Sequence, residues 1–152
     1  MKKITLIFSV IFLVGCSDES KNIDSQSIDK NETFNWRLVT SWPKNYPGLG
    51  MAPERIADLV EEMSDGQMKI TVYGAEEQVP AFGVFDAVSS GSHQMGHSGG
   101  YFWKGKVPAA QFFTSVPFGL TADEINAWVN RGGGLELWRE IYAPFNIYPI
   151  PA

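Results

Sequence analysis

Trp36-Arg37-Leu38-Val39-Thr40-Ser41, the run from Pro53 to Ser64, and Met68-Lys69-Ile70-Thr71-Val72-Tyr73 together decide the fold. The two hexapeptides are rich in β-branched and aromatic residues, and the second alternates with period two, so both read as strands. Between them Ile56, Leu59, Val60 and Met63 recur at i, i+3, i+4 and i+7, which predicts one apolar helical stripe. Pro53 suits the first turn of that helix and Gly66 its C-terminal stop. Two strands joined through a helix pair in parallel, by a right-handed crossover.

The same alternation continues downstream. Pro80 to Ser90 reads as a second helix that buries Phe82, Phe85 and Val88 and ends before Gly91, and Gln94-Met95-Gly96-His97 as a short third strand. Thr121-Ala122-Asp123-Glu124 is a capping box opening a third helix. Gly132-Gly133-Gly134 breaks it, Leu135 to Tyr142 resumes helix, and Asn146-Ile147-Tyr148 starts a further strand. The class is α/β, a parallel-rich sheet flanked by helices. The sequence stops at Pro149-Ile150-Pro151-Ala152, just after that last strand begins, and the expectation is a truncated N-terminal part of a longer protein. The alternative is a small domain of about 120 ordered residues, large enough to hold a core.

Upstream, Met1-Lys2-Lys3 and the apolar run Ile4 to Val14 make a cationic cap and a segment too short for a permanent membrane span, the pattern of a secretory signal over residues 1–15. Leu13-Val14-Gly15-Cys16 resembles a bacterial lipobox, in which the cysteine is acylated and becomes the new N-terminus. An ordinary signal with an incidental cysteine is the other reading. Cys16 is the single cysteine, so it has no intramolecular disulfide partner and is the candidate lipid attachment site. Residues 16–33, polar and without aromatics, read as a flexible tether between lipid and domain. The folded part then covers 34–152, and the expected location is the periplasm or cell envelope, anchored to a membrane.

Losing residues 1–15 removes two lysines and no acid, which takes the formal charge from −5 to −7. That acidity argues against nucleic acid, whose phosphates need clustered Lys and Arg. A small anionic ligand, which needs only one or two local donors, is still allowed.

The motifs of common chemistries are incomplete. Gly48-Leu49-Gly50-Met51-Ala52-Pro53 half-matches a dinucleotide turn, but Pro53 stands where the third glycine belongs and the preceding loop is long. His93 and His97 are four apart, yet position 94 is Gln and no Cys or nearby carboxylate completes a metal set. Ser98 lies outside any nucleophile elbow, and Glu76-Glu77 sits in a polar turn without a sign of burial. The distinctive stretch is Gly99-Gly100-Tyr101-Phe102-Trp103-Lys104-Gly105, followed by Gln111 to Gly119. Aromatics just beyond a strand's C-terminal end stand where open parallel sheets bind ligands. Tyr101 and Trp103, apolar rings with a polar tip, are the candidate contacts, and Phe112 and Phe113 the candidate core.

Val39-Thr40-Ser41-Trp42-Pro43-Lys44-Asn45, Val79 to Val88, Tyr101 to Phe113 and Gly133-Gly134-Leu135-Glu136-Leu137-Trp138 resemble the DctP-type solute-binding proteins of tripartite ATP-independent periplasmic (TRAP) transporters. Within them the match is to the 2-oxoacid (TakP-like) and lactate-binding subgroup, over about Phe34 to Ala152. The resemblance implies a periplasmic binding protein-like, type II-like fold: two α/β lobes on a hinge with the ligand between them, this chain supplying mainly lobe one. It implies ligand contacts at Tyr101, Phe102, Trp42 and Phe118, with Phe102 lacking a hydroxyl that the subgroup commonly has there. Gly74-Ala75-Glu76-Glu77-Gln78-Val79 departs from the family's usual run. The carboxylate-clamping arginine and the residues for a sodium or calcium ion are implied beyond Ala152, so no metal site is assigned within this chain, nor is Arg37, Arg55, Arg131 or Arg139 given the clamping role.

The resulting expectation is a non-enzymatic solute-binding subunit that captures a small monocarboxylate or 2-oxoacid. It would deliver the acid to TRAP membrane subunits for ion-gradient-driven uptake. Two alternatives stand beside it: an exported metal-dependent enzyme using His93 and His97, and a structural lipoprotein without a small ligand.

Overall fold

A computed structural model describes residues 32–114 and 116–151. The predicted signal, Cys16 and the predicted linker as far as residue 31 lie outside the described residues. Three strands form one sheet: β1 (Phe34–Thr40), β2 (Met68–Tyr73) and β3 (Met95–His97), in the order β2-β1-β3. Both pairings are parallel, with Leu38 opposite Val72 on one side and Met95 on the other. The crossover from β1 to β2 carries α1 (Met51–Met63), and the one from β2 to β3 carries α2 (Val84–Ser89). The two crossovers run in opposite directions across β1, so their shared right hand puts the helices on opposite faces. The two sides of β1 follow suit: Leu38 packs with Ala57, Ile70 and Val72 against α1, while Val39 packs with Val84 and Ala87 on α2.

Helix α1 ends as its sequence implies. The Gly66 N–H donates to the Glu61 carbonyl at 2.9 Å and the Asp65 N–H to Glu62 at 3.2 Å, and both Asp65 and Gly66 have positive φ. That double bond is a Schellman stop. The buried face, however, is not the predicted stripe. Pro53 and Ala57 are buried and Val60 half-buried, whereas Ile56 and Leu59 are exposed and Met63 is 77% exposed. At 100° per residue the buried line is turned by about a quarter of a revolution from the stripe. Ala57 lets the helix approach the sheet at Leu38, Ile70 and Val72; larger side chains on that line would hold it off.

Other expectations shift for equally local reasons. The second helix begins at Val84 instead of Pro80, because residues 80–83 close a turn in which Gly83 N–H donates to the Pro80 carbonyl at 2.7 Å. Phe82 therefore sits on that turn, exposed, and is not core. Phe113 is buried as expected, but Phe112 is 58% exposed. The predicted strand at Asn146-Ile147-Tyr148 is absent: a 3₁₀ turn over Ala143–Phe145 ends at Asn146 in the left-handed region, φ 56°. That reversal breaks the extended backbone a strand needs.

Helix α3 (Ala122–Arg131) opens with the predicted capping box. The Thr121 hydroxyl accepts from the Glu124 N–H, and the Glu124 carboxylate accepts from the Thr121 N–H at 2.8 Å. Glycines 132 and 133 separate it from α4 (Gly134–Tyr142), Gly133 at φ 83°. Helix α4 brings Tyr142 into an aromatic cluster with Phe85, Val107 and Ala110, and Trp138 stacks on Phe113 at 5.3 Å.

Candidate functional site

The sheet order creates the site. The chain passes from β1 to β2 on one side and then crosses back over β1, through α2, to β3 on the other. The carboxyl ends of β1 and β3 thus flank a topological switch point, where loops diverge and leave a crevice. The residues at those ends are Thr40, Ser41 and Trp42 from β1, and His97, Ser98 and Gly99 from β3. The Ser41 N–H extends the ladder to the His97 carbonyl at 3.1 Å.

The floor of this crevice is polar, and its hydroxyls are hydrogen-bonded to one another, to backbone and to the His97 ring. The buried Ser41 hydroxyl donates to the Ala81 carbonyl at 2.6 Å, which uses its one proton. Its contact with Ser98 Oγ at 2.5 Å is then a bond donated by Ser98. Thr40, 1% exposed, accepts from the Trp42 N–H at 3.3 Å and meets His97 Nδ1 at 3.4 Å. Burial holds the His97 imidazole below its ordinary pKa. The adjoining loops are tied down as well. Ala75 N–H donates to the Trp42 carbonyl at 3.0 Å, and the Glu77 carboxylate accepts from Gly74 N–H and pairs with Lys44 at 3.4 Å. Glu76, at φ 68°, accepts from the Ala81 N–H at 3.0 Å. The two acids of this turn are therefore braces for the loop.

Above the floor stands an aromatic wall. Phe102 is its hub, with ring centroids 4.5 Å from Tyr101, 5.0 Å from Phe82 and 6.3 Å from Trp42. Trp42 in turn lies 4.9 Å from the His97 ring. Tyr101 and Phe102 belong to a 3₁₀ turn, Gly100–Trp103, whose three residues per turn send successive side chains in different directions. Trp103 consequently points away: its ring is 5.3 Å from Phe85 and its Nε1–H donates to the Tyr142 hydroxyl at 2.7 Å. The expectation of Trp103 as a ligand contact is corrected; its polar tip is spent in the core.

Of the residues expected here, Trp42, Tyr101 and Phe102 come together. Phe118 does not join them: it is fully exposed in the turn after Pro117, at φ 58°. Sequence reasoning missed Phe82 and, as a member of this wall, His97. Phe82 was hidden by its apparent fit to a helix face, and His97 by its spacing from His93. His93 occupies another setting. It is buried, its backbone N–H donates to Ala87 on α2 at 3.1 Å, and its Nδ1 meets Ser92 Oγ at 3.2 Å. Desolvation, and then the nearby Arg37 charge, lower its pKa.

Among the described residues no three His, Cys, Asp or Glu side chains gather as a metal set. The site's hydroxyls and imidazole include no carboxylate, so the described residues do not fit a sodium or calcium cage by themselves. Two of the described arginines are engaged elsewhere. Arg37 Nη2 donates to the Ser92 carbonyl at 2.5 Å, and Arg139 lies over the Tyr148 ring at 4.4 Å. The described residues at this switch point therefore present aromatic bulk beside neutral hydrogen-bonding groups.

Comparison with known proteins agrees with this architecture. The chain is 47% identical over 117 residues to a monocarboxylate 2-oxoacid-binding periplasmic protein of Nostoc sp. strain PCC 7120, an alignment covering 77% of this chain and 32% of that protein. A TRAP periplasmic solute-binding protein from Pseudoalteromonas atlantica T6c, solved with bound sodium and pyruvate, superposes with TM-score 0.77 at 46% identity, over 79% of this chain and 36% of that one. One from Colwellia psychrerythraea, with bound calcium and pyruvate, gives TM-score 0.77 at 42% identity, over 79% and 37%. The chain thus spans about a third of the length of these relatives. The family model for bacterial extracellular solute-binding protein family 7, DctP, matches residues 38–149, a span that holds the whole switch point and both helical faces, and the chain belongs to that family.

Proposed function

We propose that this chain forms one wall of the ligand cleft of a TRAP solute-binding protein for a small monocarboxylate, a 2-oxoacid such as pyruvate foremost. The bound acid is handed to membrane subunits that use an ion gradient. The observation that carries this reading is the aromatic wall of Trp42, Phe82, Tyr101 and Phe102 over hydrogen-bonded Thr40, Ser41 and His97, at the carboxyl ends of β1 and β3. Such a wall excludes water from the apolar end of a small acid while leaving its oxygens to neutral donors. The relatives solved with pyruvate hold sodium or calcium as well. In this reading the cation, and an arginine clamping the carboxylate, are held by residues outside the described set, and the protein performs no chemistry on its ligand. Phe118, exposed on its turn, would meet the ligand only if that turn folds over the cleft.

Calorimetric titration of the complete gene product with pyruvate and longer 2-oxoacids, in sodium or calcium buffer, tests the reading. Saturable binding of at least one 2-oxoacid is the expected result, and no binding to any organic acid overturns it. Periplasmic location and a lipid tether at Cys16 complete the proposal. A Cys16→Ser variant should move from the membrane to the soluble fraction, and an unchanged distribution would remove the tether.

A further inference from the structure

His97 has a defined protonation pattern that gives it a role in this cleft. The Thr40 hydroxyl is buried and already accepts from the Trp42 N–H, so one of its lone pairs is taken. If His97 Nδ1 carried the ring proton and donated to Thr40, the hydroxyl's own proton would be left buried with no acceptor among the described residues. A buried, unmade hydrogen bond is costly. The arrangement that satisfies both groups has Thr40 donating to an unprotonated Nδ1, which places the proton of the neutral imidazole on Nε2. No described residue takes up that Nε2, and unlike the Nε2 of His93 it is not sealed from solvent. The ring itself is held against Trp42, at 4.9 Å, within the aromatic wall.

We infer that His97, fixed by Thr40 as the Nε2–H tautomer, donates a hydrogen bond to an acceptor oxygen of the captured small carboxylate, and so serves as the lobe's own neutral recognition group for the acid. This rests on the reading of the cleft as a 2-oxoacid site. The depressed basicity of the half-buried ring keeps it neutral near pH 7, so it offers one directed donor where a cation would be a general attraction for anions. The aromatic surroundings exclude competing water, which strengthens such a bond. Thr40 is then a positioning residue: it touches no ligand and sets the tautomer.

The test combines calorimetry and ¹⁵N NMR on the complete gene product, with pyruvate as probe. His97→Ala should weaken pyruvate binding by about tenfold or more, the loss typical of a hydrogen bond to a charged acceptor. His97→Gln, whose amide nitrogen can reach the Nε2 position, should recover most of it. In the wild type, long-range ¹H–¹⁵N spectra should report an unprotonated Nδ1 and a protonated Nε2 on His97, with the Nε2 resonance shifting on pyruvate addition. The NMR readout keeps the question answerable if the alanine variant fails to fold. Wild-type pyruvate binding with an Nδ1–H tautomer, an Nε2 that ignores pyruvate, or undiminished affinity in His97→Ala each overturns the role of His97 and leaves the 2-oxoacid reading standing. Absence of any 2-oxoacid binding by the wild type overturns the reading, and this inference with it.

Discussion

Gly99 shows how a single position controls the wall. A Cβ built there would lie 2.6 Å from Cε1 and Cζ of Tyr101, because the 3₁₀ turn folds that ring back over the backbone two residues earlier. Gly99→Ala must therefore displace the ring. Tyr101 is 44% exposed, so it can swing out at small cost to stability, but it then loses its 4.5 Å edge contact with Phe102 and its place in the cleft. The expected outcome is a several-fold weaker affinity for pyruvate by calorimetry, with a urea midpoint close to wild type. Unchanged affinity would place Tyr101 outside the binding surface. Tyr101 and Trp42 are legible in the sequence as rings next to glycines or prolines at strand ends. The dependence of Tyr101 on Gly99 is not, because it arises from the tightness of a turn that no periodicity announces. Trp103 misleads for the same reason: one residue further along a three-residue turn faces a third of a revolution away.

Among elements, the clearest constraint is the seat of α2 on the sheet. Gly96, the middle residue of β3, has no side chain, and a Cβ there would come within 2.7 Å of Val84 Cγ1 and 2.8 Å of Val88 Cγ2. Gly96→Ala should destabilise the protein by about 1–3 kcal/mol, the usual cost of overpacking a rigid contact. Urea unfolding measures it, and Gly96→Ala with Val88→Ala should restore part of the loss, since contacting residues are not additive. An additive double variant would mean that α2 is not seated on this glycine. Element types were readable at β1, β2, α1 and α3, where strand alternation, the 3.6-residue repeat and the Thr121–Glu124 box are all local signals. Which face of α1 is buried was not. The large apolar residues Ile56, Leu59 and Met63 dominate any periodicity count, while the sheet selects small Ala57 for close approach. The strand expected at Asn146 failed because a left-handed asparagine outweighs two β-prone neighbours.

At the scale of the whole molecule, parallel pairing follows from the strand–helix alternation, but the order β2-β1-β3, and with it the switch point, depends on which edge β3 joins. That choice rests on long-range contacts, such as Val39 with Val84 and Ala87, that sequence spacing does not encode. The same packing makes stability sensitive to pH from two directions. His93 and His97 are held below their ordinary value of 6.5, both chiefly by desolvation. For each, the unfolded chain takes up a proton near pH 6.5 while the folded state resists until a lower pH. Between those two values the unfolded state binds more protons, so stability rises with pH. This contribution is complete above about pH 6.5, is lost as pH falls below it, and levels off once the folded histidines are also protonated. Tyr142 acts at the other end. Burial raises its pKa above the ordinary 10.0, against the weaker opposing effect of the bond it accepts from Trp103, so the unfolded state ionises first and stability declines as pH climbs past 10. Urea midpoints measured from pH 4.5 to 10.5 should thus form a plateau with both edges sloping. Carboxylates also titrate at the acid edge, so the comparison that isolates the histidines is His93→Gln with His97→Gln, which should flatten the slope between pH 6.5 and 5 and leave the alkaline edge in place. A doubly substituted protein with the wild-type slope in that window would show that neither imidazole is kept neutral by the fold.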